Sequence, residues 1–131
     1  MDQILDQDSF QEQQAMSKQF FVCGIGTITG RPVAVYAIDP EPPAGPVDLP
    51  AVLRSQCAFL EYVQLQMLPL VYLADQPGLL PSSGTTALPV GQESILLDSC
   101  GVGGLFARLA RLSGLVPMVA VLFGRVATTQ G

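Results

Sequence analysis

The sequence of 131 residues contains no histidine. That absence removes Ser-His-Asp and Cys-His nucleophile systems, HExxH metal sites and histidine general bases together. Catalysis, if any, must rest on backbone N–H groups, carboxylates, hydroxyls or a bound cofactor. Charge is also scarce. Asp, Glu, Lys and Arg make up 13% of residues, against about 25% in ordinary soluble domains. The net charge of -5 argues against nonspecific attraction to nucleic acid. No apolar run reaches the ~20 residues of a membrane span, so no membrane partner is expected. The opening "MDQILDQDSFQEQQ" is polar and acidic, which fits neither a secretory signal nor a transit peptide. Cys23, Cys57 and Cys100 are odd in number, far apart and without a CxxC pair. They fit reduced thiols in a cytoplasmic protein better than a disulfide framework or a zinc ribbon.

What is present suits one domain. Apolar residues make up 49%, enough to fill a core. So little surface charge implies that other subunits cover part of the molecule, and an oligomer is expected. Residues 1–20 read as a polar lead-in with a short helical stretch capped by Asp8 or Ser9. The domain proper is expected over residues 21–131. "FFVCGIGTI" reads as a strand, "TG" at 29 and 30 as a tight turn, and "RPVAVYAI" as the returning strand of a hairpin. A proline-rich loop over 39–50 leads to a helix over 51–66 with apolar residues on most sides. "LPLVYLAD" is a short apolar strand of the kind covered on both faces. The stretch 76–94 is a long Gly, Pro, Ser and Thr-rich loop. "SILLDS" reads as either a short strand or a helix start. "GLFARLARLSG" reads as a helix closed by Gly114, and "VPMVAVLFG" as a further buried strand. Strand, helix, strand, helix, strand is the order of an α/β domain with parallel pairing. A sequence that stops soon after a core strand suggests an incomplete or divided domain.

The order of these segments resembles one family. "GIGTITGRPVAVYAID" is similar to the opening hairpin of biotin-dependent acyl-CoA carboxyltransferase subunits. "ILDQDSFQE" precedes it as "LLDQDSFQE"-like stretches do in that family. "LPLVYLADQPG" and "GVGGLFARLARLSGLVPMVAVLFG" follow in the expected order. The resemblance implies a crotonase/ClpP-like fold of repeated ββα units, with this chain as a partial carboxyltransferase domain. It implies transfer of a carboxyl group from carboxybiotin to an acyl-CoA, with paired N–H groups stabilising the thioester enolate and the biotin ureido oxyanion. Such preorganised electrostatics needs no histidine. The implied partners are a biotin carrier protein or a complementary carboxyltransferase subunit.

The same resemblance suggests site residues. "AGPVD" falls where the family has a glycine-rich turn before a helix. Gly45 matches its second glycine, whereas Pro46 departs from the pattern and has no N–H. "DQPGLLP" is similar to the turn after the family's central strand. There Gly78 and Leu79 would offer N–H groups to an oxyanion, and Asp75 would brace the turn. Arg54 lies near a family lysine and could meet a CoA phosphate; an exposed helix arginine is the plainer reading. Arg108 and Arg111 share a helix face, which reads as solvated or as a subunit contact. "GVGG" lacks the lysine of a phosphate loop, and Cys100 beside it reads as a small packed thiol. Two other readings stay open: a biotin-independent decarboxylase of a malonyl-type thioester, and a non-catalytic, degenerate domain that scaffolds a carboxylase assembly.

Overall fold

The computed structural model describes residues 4–18, 20–38, 48–74 and 99–122. Its elements are β1 (Gln11–Glu12), β2 (Phe21–Ile28), β3 (Arg31–Ile38), α1 (Leu49–Gln66), β4 (Leu70–Ala74), α2 (Val102–Ser113) and β5 (Met118–Leu122). The strands form one sheet in the order β1-β2-β3-β4-β5. The pairs β1–β2 and β2–β3 are antiparallel, while β3, β4 and β5 are mutually parallel. The expected α/β order and the expected hairpin are both present. The turn is tight because Thr29 (φ 51°) and Gly30 (φ 74°) both take left-handed backbone angles. Two such residues in a row match the twist of the flanking strands.

Helix α1 starts at Leu49, two residues before the expected position. Asp48 sets that start, because its carboxylate accepts the Ala51 N–H at 3.1 Å. The helix stops at Met67, whose φ of 51° turns the chain left-handed so that its N–H meets the last carbonyls. Gly114 closes α2 as expected, but with a right-handed backbone.

Alternation along the strands divides the core into two layers. Phe21, Cys23, Ala34, Tyr36, Ile38 and Leu70 pack with both helices. Phe21 anchors this layer, with its ring centroid 4.7 Å from that of Tyr36 and 6.2 Å from that of Phe59. Val33, Val35, Val71 and Leu73 point to the opposite face, where Leu5 covers them with support from Ile4 and Phe10. Strand β4 is thus covered on both faces, as expected.

The amino-terminal stretch differs from the expected lead-in. Residues 4–18 contain no helix. They form a strap over the sheet, with β1 paired to β2 through Gln11 opposite Ile25 and Glu12 opposite Gly24. Asp8 has φ 55°, and the Ser9 hydroxyl accepts the Thr27 N–H at 3.1 Å rather than capping a helix. Two glycines admit the strap. A Cβ on Gly24 would overlap Phe10 and the Gln11 carbonyl, and one on Gly26 would press on Leu5. The expected burial of the last strand is also corrected. Met118, Val119 and Leu122 of β5 are exposed, because β5 is the last strand in the sheet and the described residues do not cover it. Helix α1 is buried on one stripe only: Val52, Leu53, Cys57, Phe59, Leu60 and Val63 face inward, while Leu65 is 81% exposed.

Candidate functional site

Parallel pairing aligns the carboxyl ends of three strands. Ile38 registers with Ala74, and Ala74 with Leu122. Neighbouring strands lie about 4.8 Å apart, so the carboxyl ends of β3 and β4 stand side by side. Open α/β sheets bind ligands at this edge, outside the strand carboxyl ends. Helix α1 points its amino terminus the same way, since its other end feeds directly into β4. Pro69, in that junction, accepts the Ala34 N–H at 2.8 Å. The α1 amino terminus brings partial positive charge to the edge, part of which the Asp48 cap takes up.

The proposed oxyanion donors belong to the segments that leave this edge. Gly45 lies between β3 and α1, and Gly78 and Leu79 follow β4. All three, with Pro46, Asp75, the loop over 76–94 and most of "SILLDS", lie outside the described residues. Arg54 is described: it is exposed on the second turn of α1, the half nearer this edge.

The described residues build three other polar or cavity features. At the opposite end of the sheet, Asp6 grips the hairpin turn. Its carboxylate accepts the Thr27 hydroxyl at 2.6 Å and the N–H groups of Thr29 and Gly30 at 2.9 and 2.8 Å. These bonds, led by that from Thr27, hold the Asp6 carboxyl below its ordinary pKa. Sequence reasoning missed this clamp, because nothing local marks Asp6 among its acidic neighbours.

A groove of about 250 Å³ runs between α2 and the sheet, lined by Tyr36, Leu70, Tyr72, Leu109, Met118, Val119 and Ala120. The Tyr36 and Tyr72 ring centroids are 5.1 Å apart. Burial pushes both phenols above their ordinary pKa, so both are neutral at pH 7. The groove can take an apolar group but offers no base, and it lies beneath α2 rather than at the carboxyl edge.

Arg108 joins the two helices. Its Nε and Nη2 donate to Glu61 Oε1 at 2.9 and 2.6 Å, and its Nη1 donates to the Ser99 carbonyl at 2.7 Å. Arg111 stays exposed. The expected shared solvated face is therefore half replaced by an ion pair within the chain. "GVGG" forms the start of α2, with Gly101 as its cap. Among the described residues no group of three or more His, Cys, Asp or Glu could hold a metal ion. Nor, among them, is any helix long and apolar enough to cross a membrane.

Comparison with known proteins places this geometry. A family model described as the carboxyl transferase domain matches residues 1–90, a span that includes the strap. The propionyl-CoA carboxylase beta chain of Saccharopolyspora erythraea is 32% identical over 81 residues, covering 62% of this chain and 15% of that protein. A putative propionyl-CoA carboxylase beta chain of Bacillus subtilis is 29% identical over 133 residues, covering 92% of this chain and 24% of that protein. The chain thus spans a quarter or less of the length of these curated relatives. Among solved structures, a malonate decarboxylase hetero-dimer of Pseudomonas matches with a TM-score of 0.64 at 22% identity, over 95% of this chain and 50% of that one. A transcarboxylase 12S structure matches with a TM-score of 0.57 at 22% identity, over 92% of this chain and 21% of that one. The fold is the crotonase fold of carboxyltransferases.

Proposed function

The chain belongs to the carboxyl transferase domain family, and from that premise we propose that it is one component of an acyl-CoA carboxyltransferase, working with partner domains in an oligomer. The reaction moves the carboxyl group of carboxybiotin to the α-carbon of an acyl-CoA. The α-proton ends on the biotin nitrogen, so atoms balance without another reactant. Negative charge develops on the thioester oxygen and on the biotin ureido oxygen. Backbone N–H groups of Gly45, Gly78 and Leu79 are the proposed donors, and Arg54 the proposed partner of a CoA phosphate. The observation that carries this reading is the in-register alignment of the carboxyl ends of β3 and β4, the strands that precede Gly45 and Gly78 in the sequence. Neutral N–H donors suit a sequence without histidine.

A partner has a physical rationale as well. Pro46 offers no N–H, and the loss of one oxyanion donor costs on the order of 10²–10³ in turnover. The exposed apolar side chains of β5 are suited to cover by a further domain. Three cysteines without a CxxC pair fit the cytoplasm.

The test is carboxylation of propionyl-CoA with a carboxylated biotin carrier, by the chain alone and with a complementary carboxyltransferase subunit. Silence alone and turnover in the complex are expected, with Gly78→Val abolishing it. Biotin-independent decarboxylation of malonyl-CoA would replace this reading by the decarboxylase. Partner binding without turnover or CoA affinity would replace it by the scaffold.

A further inference from the structure

Two thiols distant in sequence meet where the helices join. Cys57 faces inward from the middle of α1 and is 1% exposed. Cys100 stands just before the cap of α2, half-buried against the same core layer. The two side chains lie within hydrogen-bonding reach of each other.

The surrounding contacts fix this meeting. Glu61 lies one helical turn beyond Cys57, at the exposed margin of that buried stripe of α1. Ser99 is the residue before Cys100. Arg108 bonds both, so one guanidinium ties the α1 surface to the turn that bears Cys100. Gly104 lets that turn close on α2, because a Cβ there would overlap the Ser99 carbonyl.

We propose that Cys57 and Cys100 form a reversible disulfide, with Cys100 as the entry thiol and a small-molecule disulfide as the oxidant. The Cys100 thiolate attacks one sulfur of, for example, oxidised glutathione. The glutathione S–S bond breaks, and one glutathione leaves with the proton that Cys100 gave up. The Cys57 thiolate then attacks the Cys100 sulfur of this mixed disulfide. The second glutathione leaves as a thiol with the second proton. Two protein sulfurs are oxidised and one glutathione disulfide is reduced to two thiols.

The order follows from access. Cys100 reaches solvent and Cys57 does not. Burial also pushes the Cys57 thiol up to about 11, so ring closure waits on the small Cys57 thiolate fraction. It should quicken about tenfold per pH unit through the neutral range, as the thiolate fraction grows. Under reducing conditions both thiols persist, as is usual for transient cytosolic disulfides. This inference does not depend on the carboxyl-transfer reading.

The test uses the full chain with oxidised glutathione at about pH 8, followed by alkylation and peptide mass mapping. The thiol count should fall from the three of the sequence to one, with Cys23 remaining and a Cys57–Cys100 linked peptide present. Dithiothreitol should restore all three. Cys57→Ala should stop at a glutathione adduct on Cys100, and Cys100→Ala should take up no glutathione at Cys57. A folded chain that keeps its three thiols, stops at the adduct or links Cys23 instead overturns the proposal. If Cys57→Ala does not fold, the peptide map of the unaltered chain decides alone.

Discussion

Leu5→Ala tests whether the amino-terminal strap is part of the folding unit. Leu5 is 6% exposed and covers Val33, Val35, Val71 and Leu73 on the face away from the helices. The change removes three carbons. At about 0.8 kcal/mol for each buried methylene, the lost transfer free energy is about 2.4 kcal/mol. A residual cavity adds to this, but a strap can settle further than a core helix can. The expected cost is therefore about 2–3 kcal/mol, near the low end for buried leucines. Unfolding entropy near 2.1 cal/mol/K per residue, applied to 131 residues, turns this into a fall in Tm of about 7–11 °C. Urea unfolding followed by circular dichroism is the assay, with m compared between variants to confirm that only stability changed. Leu65→Ala is the control, since Leu65 is 81% exposed and should move stability by less than about 0.5 kcal/mol. Equal midpoints for the two variants would refute the reasoning and return residues 4–18 to the status of a loose lead-in.

Asp6 has a depressed folded pKa, so its contribution is present above the ordinary carboxylate value of about 3.9 and is lost as pH falls through the lower folded value. Asp6→Asn should accordingly flatten the acid limb of stability against pH, which urea midpoints at stepped pH would reveal; an unchanged limb would remove the clamp from the account. Gly104→Ala should destabilise by about 1–3 kcal/mol, although alanine is the better helix former by about 1 kcal/mol, because its Cβ would overlap the Ser99 carbonyl. A raised urea midpoint would show that the turn before α2 yields easily. Arg54→Glu should weaken CoA binding several-fold while leaving the unfolding midpoint unchanged, since the side chain is exposed. Calorimetry with CoA, run on the complex that turns over, reads this directly; unaltered affinity would strike Arg54 from the site.

Local chemistry made part of the fold legible. Gly30 marked the hairpin turn, because glycine takes left-handed angles at no steric cost, whereas Thr29 beside it takes φ 51° against its β-branched preference. The apolar run "LPLVYLAD" announced a strand covered on both faces, and its register with β3 fits. The strap was not legible in the same way. Leu5 and Phe10 sit among polar residues with no strand or helix period, and their partners are distant in sequence. A weaker signal did exist: Gly24 and Gly26 alternate within a strand, and glycine there marks close approach by another part of the chain. They show which face the strap crosses. Burial of β5 was misread because an apolar strand has the same composition at an edge as in the middle of a sheet. At the candidate site, connectivity was readable and atomic geometry was not. The donors proposed at Gly45, Gly78 and Leu79 are backbone groups, whose direction no side-chain pattern encodes.

The two ends of the sheet have a consequence for assembly. On one side β1 has two residues, Gln11 and Glu12, both exposed and polar. On the other, β5 offers five residues with Met118, Val119 and Leu122 uncovered. A polar edge this short is a poor template for pairing, whereas a longer apolar edge is a good one. Head-to-tail growth requires both edges to adhere, and among the described residues only β5 is suited to do so. Pairing through β5 alone would bring two copies together about a twofold axis, and a twofold contact is closed. As far as the described residues go, this asymmetry disfavours open fibres by strand addition, and a β5 left without its proposed covering domain would pair at most with one copy.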